Sequence, residues 1–479
     1  MKLEEGKQLA EAAVSKALSV GASYSEARIQ NTRARQVIMK NGESQPSFFA
    51  EGYGIGIRVI SRGALGFAAT NEMKPGLVNE LAERAVKLAR ASAPILKKRI
   101  AFDSSKAVRK RWAAPEKVKI ENADAAWLRK ALLDIEGRIG DGKAGVKLPG
   151  RLLALGAELE EKYYVNSDGA RVEARLPRIG FVGSLTAVEG GVAAQRFLHQ
   201  GETGGLEVVK RVRLVEKVVE EAKTMGKVLR TASKPPTDVV EVVLSPELSG
   251  IAAHESVGHP QEADRVLGRE GAQAGESYLK ANSLGRKIGS VEANISDDPT
   301  LLHSMGYTPV DDEGVASKKR RLIKNGVINE FLHNRATARE FGLESNGASR
   351  SASFDMEPII RMSNTFVEPG DYSTDELIGE VKHGVFFKTF TEWNIDDKRF
   401  NQRYVALEAY LIERGEVKGM VNGPVLEITT PRLWGSVKAR SKNMDFEAAV
   451  CGKGDPEQGA PVWQGGPETL LTGIRLGTR

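Results

Sequence analysis

Two adjacent prolines break this chain near its middle, in the segment Arg230-Thr-Ala-Ser-Lys-Pro-Pro-Thr237. Proline lacks a backbone N–H and restricts the residue before it, so neither a helix nor an internal strand runs through these residues. The pattern differs on the two sides. Before the break, apolar residues recur at helical spacing in Leu9, Val14, Ala17 and Leu18 with Gly21 as a stop, and again in Leu77, Leu81, Ala85 and Leu88. Further helices are predicted over 125–135 and 206–225. Strand patterns fill 146–197 around the turn Asn166-Ser-Asp-Gly169, and Asn41-Gly42 marks a hairpin. After the break, the strand Val239–Leu244 leads into one short helix. Short β runs then follow over 381–390, 404–413 and 425–430, with an Asn325-Gly326 hairpin between 320 and 332. The expected fold class is α+β, with two domains in 479 residues: an α/β N-terminal domain, 1–234, and a β-rich C-terminal domain, 235–479, carrying a metal-binding helix.

Composition removes several classes. With one cysteine, Cys451, no internal disulfide forms, so a disulfide-stapled fold is excluded. The N-terminal residues include Glu4, Glu5 and Glu11 and hold no apolar leader, and no run of about 18 apolar residues occurs anywhere. A soluble, cytoplasmic chain with no membrane partner is expected. The net charge of +6 is a small excess of 69 basic over 63 acidic residues, which tolerates an anionic partner without requiring nucleic acid. Gly52, Gly54 and Gly56 lie two apart, which suits small residues on one face of a strand rather than a nucleotide-binding loop.

The chemistry concentrates in Ser245-Pro-Glu-Leu-Ser-Gly-Ile-Ala-Ala-His254-Glu255-Ser-Val-Gly-His259-Pro260. Ser245 suits an N-cap and Pro246 the first helical position. The motif His254-Glu255-x-x-x-His259 is one residue longer than the His-Glu-x-x-His of zinc peptidases. On a regular helix five residues turn through about 500°, leaving the two imidazoles ~140° apart and unable to share an ion. A π-bulge or an unwound turn would realign them, and Gly258 and Pro260 both favour such a departure. A distorted helix near 255–259 is therefore predicted. A catalytic zinc site takes three protein ligands and keeps one position open. Cys451, at a strand end before Gly452 and Gly454, is the natural third ligand, although a lone cysteine is ordinarily an inert buried residue. His199, His303, His333 and His383 sit in unremarkable contexts. Asp311-Asp312-Glu313 is read as a solvated acidic turn or a support for a site, and Lys318-Lys-Arg-Arg321 as a solvated face or partner contact.

Several motifs in order resemble the TldD/PmbA metalloprotease family. They are Gly54-Ile-Gly-Ile-Arg58 to Gly66-Phe67, the His254–His259 helix, Tyr307-Thr-Pro-Val-Asp311-Asp312-Glu313-Gly314, Arg361-Met-Ser-Asn-Thr365, Cys451-Gly-Lys-Gly454 and Gly465-Gly-Pro467. The resemblance implies a zinc peptidase with His254, His259 and Cys451 as ligands and Glu255 as catalytic base; such a ligand set also holds iron. It implies a metal-bearing, TldD-like chain that acts as a dimer, in known members a heterodimer with a PmbA/TldE-like chain lacking the motif. The implied substrates are small, unfolded peptides. A β-rich C-terminal half suggests that an extended peptide is held by strand addition. Two alternatives stand beside this: a non-catalytic scaffold that modulates protein or nucleic acid, and a metal-dependent amidase acting on small molecules. Residues 390–400 lack the glycine of the family pattern, and Asp455-Pro-Glu-Gln458 also departs from it.

Overall fold

A computed structural model describes residues 2–271 and 275–478. The fold is α+β, as expected. The N-terminal half is built on an eight-stranded sheet whose long central strands, Tyr24–Lys40, Lys147–Asn166 and Arg171–Glu189, pair antiparallel. Asn41 and Gly42 form the predicted turn with φ of 50° and 85°. Odd-numbered residues of these strands, among them Ile29, Met39, Leu155 and Phe181, face a layer of helices. Helices Lys2–Ser19 and Pro75–Ser92 cover one end of this face, and Ala125–Ile139 and Leu214–Thr231 the other. The single helix expected over 206–225 is instead two, Val208–Arg211 and Leu214–Thr231, because Arg213 adopts a left-handed conformation at φ 51°.

Strand alternation turns the even-numbered residues to the opposite face, which meets the C-terminal half. Gly54 and Gly56 lie there on the strand Phe48–Ser61. A methyl group on Gly54 would fall 2.4 Å from the ring of Phe354, and one on Gly56 would fall 2.2 Å from the Phe354 carbonyl oxygen. The two-apart glycines thus admit a loop of the other half, in keeping with a strand and not a phosphate loop.

The expected solvated acidic turn is overturned. Asp311, Asp312 and Glu313 are all buried. Asp311 accepts backbone N–H groups of Glu313, Val315 and Ser349, while Asp312 pairs with Lys162 at 3.1 Å. Glu313 pairs with Arg58 at 2.7 Å, and Arg58 also holds Glu26 at 2.8 Å. These charges join the two halves. The run Lys318–Arg321 divides likewise: Lys318 and Arg321 are exposed, but Arg320 is fully buried against Asp297.

Among the described residues the C-terminal half holds two six-stranded sheets, a four-stranded one and the two-stranded pair Ser349–Arg350 and Ile359–Ile360. In the first, Asp445–Lys453 is the edge strand, paired to Gln458–Gly466, which runs parallel to Asn364–Val367. The second centres on Val239–Leu244, and the third has Phe390–Ile395 at its edge. Thr231 ends the last N-terminal helix and Val239 opens the next strand, so the sequence boundary at 234/235 falls in the coil between them.

His333 provides a test of this core. It packs against Phe331 and Phe341, its Nδ1 lies 3.1 Å from Thr337 Oγ1, and burial pushes its imidazole down to about 4. Because the folded value lies below the unfolded one of about 6.5, the contribution is fully present above pH 6.5. It is lost as pH falls, since the unfolded chain takes up a proton that the folded chain refuses until about pH 4. Between pH 7.5 and 4.5 the wild type should lose about 2.5 kcal/mol more stability than His333→Gln, measured by denaturant unfolding. Equal losses would place the pH sensitivity elsewhere.

Candidate metal centre

Ser245 caps the site helix by accepting the N–H of Leu248 at 3.3 Å, and Pro246 occupies its first position. The helix Pro246–Ala253 seats tightly: a methyl group on Gly250 would lie 2.4 Å from the backbone nitrogen of Gly465 on the neighbouring strand. Over His254–Gly258 the backbone then widens into a π turn closed by the His259 N–H on the His254 carbonyl, followed by a 3-10 turn at His259–Gln261. This is the predicted distortion. One added residue per turn brings side chains five apart nearly into line. The imidazole centroids lie 5.0 Å apart, edge to face. Gly258 lets Met362 pack closely there, since a methyl group would lie 2.0 Å from Met362 Sδ. Ser256, bonded to the Ala252 carbonyl at 2.6 Å and to Trp434 Nε1 at 3.0 Å, anchors the widened turn.

Cys451 arrives on the edge strand Asp445–Lys453, with its Sγ 3.4 Å from His259 Nε2. Arg361 binds the Cys451 carbonyl and, at 2.6 Å, that of Gln458, fixing the strand. One donor atom each from His254, His259 and Cys451 lies within 4.8 Å of the others, the one such His/Cys/carboxylate group among the described residues. His259 Nδ1 lies 3.2 Å from Glu262 Oε2, which leaves Nε2 free to face the group. Glu262 is buried with Arg265 at 2.6 Å and Lys453 at 3.3 Å, and Lys453 also reaches Asp264 at 2.7 Å. Burial alone would raise the Glu262 carboxyl; Lys453, His259 and Arg265 outweigh it and hold it well below its ordinary value.

The donors suit a borderline-soft dication. Burial lowers both imidazoles, so they are neutral at pH 7, the ligating form. Burial would raise the Cys451 thiol, but His259 and then Arg361 bring it down to about 7. His254 Nδ1 is buried without a hydrogen-bond partner among the described residues. Three donors leave a coordination position for water or substrate.

The site opens into a cavity of about 560 Å³. Glu255 lies on its wall beside the donors, 8% exposed at its side chain and ion-paired with Arg399. The edge strands Phe390–Ile395 and Asp445–Lys453 contribute wall residues, as do Phe197 and His199 of the N-terminal half. Sequence reasoning placed His254, Glu255, His259 and Cys451, and the structure brings them together. It assigned no role to Glu262, Lys453, Arg361, Arg399 or His199, although Arg361 and Lys453 stand in motifs that carry the resemblance and Glu262 lies only three residues beyond His259.

Comparison with known proteins accords with this arrangement. Residues 25–92, 111–226 and 237–478 match the first, central and C-terminal domains described for PmbA/TldA metallopeptidases. A protein named metalloprotease from Methanothermobacter thermautotrophicus is 30% identical over 95% of each chain. A metalloprotease TldD homolog from Haemophilus influenzae is 26% identical over 95% of this chain and 92% of its own. A zinc metalloprotease TldD homolog from Saccharolobus solfataricus is 30% identical over 51% of this chain and 53% of its own. TldE from Thermococcus kodakarensis shares the fold with a TM-score of 0.77 at 20% identity, over 98% of this chain and all of that one. The chain belongs to the PmbA/TldD metallopeptidase family.

Proposed function

We propose that this chain is a zinc-dependent peptidase that cleaves small or unfolded peptides, with His254, His259 and Cys451 as ligands and Glu255 as general base. The observation that carries this reading is the π turn, which converges both imidazoles on the only thiol while leaving Glu255 on the cavity wall. When bound, the ion lowers the pKa of a water and polarises the scissile carbonyl. Glu255 accepts the proton of the attacking water and returns it to the leaving amine. Glu262 holds His259 in orientation through Nδ1, and Arg361 holds the backbone of Cys451.

The outer edge of Asp445–Lys453 has no strand partner among the described residues, and Val450 on it is 70% exposed. An extended peptide added there would be held through its main chain and cross the Cys451 position, which reads backbone rather than side chains and gives broad specificity. Three ligands rather than four, with an acid beside them, argue against a purely structural ion and a scaffold role. The resemblance, together with the shared fold of a TldE chain, supports pairing with a TldE-like partner. The same reading keeps 1–234 and 235–479 as the two domains.

The test is metal analysis of the purified chain with cleavage of an internally quenched, unstructured decapeptide. One equivalent of zinc per chain, cleavage abolished by a chelator and restored by zinc is the expected result. Cleavage indifferent to the chelator refutes a metal-dependent peptidase.

A further inference from the structure

Arg399 lies in the turn between Phe390–Ile395 and Asn401–Ala406 with φ of 62°, a conformation that non-glycine residues adopt at an energetic cost. The turn is held firmly nonetheless. The Arg399 N–H donates to the Asp396 carbonyl at 2.9 Å and its carbonyl accepts from Thr430 Oγ1 at 2.9 Å, while the Phe400 N–H donates to Asp396 Oδ1 at 2.7 Å. This strained, anchored turn sends the guanidinium into the metal-centre cavity, where Nη1 binds Glu255 Oε2. Nε of the same fork is buried without a partner among the described residues. Among the residues lining the cavity, Arg399 is the one side chain with a permanent positive charge. Of the neutral donors on the wall, Thr391 is engaged with the Gln195 carbonyl at 2.8 Å and Asn394 with Glu392 at 3.1 Å, while Trp393 and Gln464 offer uncharged N–H groups.

We propose that Arg399 is a further catalytic residue, whose guanidinium receives the carbonyl oxygen of the scissile peptide as that oxygen becomes negative. The inference rests on the peptidase reading above. A general base sits within hydrogen-bond reach of the attacking water, about 3 Å, and the carbonyl under attack is one bond-forming distance further. A guanidinium already bonded to that base therefore stands beside the reacting oxygen, with a spare N–H group in a rigid fork. The water oxygen bonds to the carbonyl carbon as its proton passes to Glu255, and the C=O pair moves onto oxygen, where Arg399 donates to it. On collapse that pair re-forms the C=O bond. The C–N bond breaks with its electrons on nitrogen, and the nitrogen takes the proton from Glu255. Peptide and water become acid and amine.

The experiment compares wild type, Arg399→Ala, Arg399→Lys and Glu255→Gln on the quenched decapeptide, with metal content, and with binding of a phosphinate peptide of the same sequence measured by calorimetry. Arg399→Ala should keep one equivalent of metal and lose about 10²- to 10³-fold in kcat, the loss typical of one oxyanion donor. KM should stay within about threefold, while affinity for the tetrahedral phosphinate falls by a factor similar to that in kcat. Arg399→Lys, or guanidinium added to Arg399→Ala, should recover part of the loss, which a folding defect would not allow. Unchanged or raised kcat in Arg399→Ala, or a rise in KM with phosphinate affinity intact, overturns the proposal. Where Glu255→Gln abolishes cleavage and Arg399→Ala does not, this inference alone fails. Where Glu255→Gln cleaves like wild type, the peptidase reading itself fails.

Discussion

Glu255→Gln should abolish peptide cleavage, by about 10³-fold or more, while one equivalent of metal stays bound. Gln keeps the shape of the side chain and a carbonyl oxygen for Arg399 Nη1, but it accepts no proton at neutral pH. General-base catalysis contributes about 10²- to 10⁴-fold, and Glu255 is asked to serve twice, for the attacking water and for the leaving amine. The donors to the ion are not touched by this change, since the proposed set is His254, His259 and Cys451. Metal analysis and turnover on the same preparation therefore separate two roles. Metal kept with cleavage lost supports Glu255 as the base. Metal lost with cleavage would make Glu255 a ligand. Full cleavage by the variant would refute the assignment outright.

What the sequence disclosed about this site depended on how local each signal was. The cap at Ser245, the Asn-Gly hairpins and the widened turn at His254–Gly258 all follow from residues within one or two turns of each other. The π turn was legible because a spacing of five is incompatible with a shared ion on a regular helix. Cys451 was legible as the only thiol and so as the natural third ligand, 192 residues from His259, but no periodicity ties it to the two imidazoles, and the resemblance is what strengthened that link. Buried charges were not legible. Arg58 and Glu313 lie 255 residues apart, and Glu255 and Arg399 lie 144 apart. A charged residue reads as solvated until its counter-charge is known, and the counter-charges here come together only when the two halves dock or a distant turn folds over the cavity. The break at Arg213 was missed for a different reason: apolar spacing continues across it, and only the backbone dihedral reports it.

Cys451→Ser should remove the metal and, with it, all metal-dependent cleavage. A serine hydroxyl is nearly isosteric but does not ionise near neutrality, whereas the Cys451 thiol, which burial would raise, is brought down to about 7 by His259 and Arg361 and so gives up its proton readily to an arriving ion. Loss of a residue that merely orients a ligand weakens metal binding about 10- to 100-fold, so loss of a ligand should exceed about 100-fold. The thermal response distinguishes ligand loss from a damaged fold. A bound ion stabilises the folded state in proportion to the logarithm of its concentration over Kd. The wild type should therefore melt lower after chelation and recover with zinc. Cys451→Ser should melt where the chelated wild type does and respond to neither treatment. A variant that melts well below the chelated wild type would indicate structural damage at the edge strand Asp445–Lys453, and the comparison then passes to Cys451→Ala, which removes the donor without placing a hydroxyl at this 6%-exposed position. Retention of one equivalent of zinc with unchanged affinity in both variants would exclude Cys451 as a ligand. It would also break the link between the thiol and the two imidazoles that the π turn brings within reach of it.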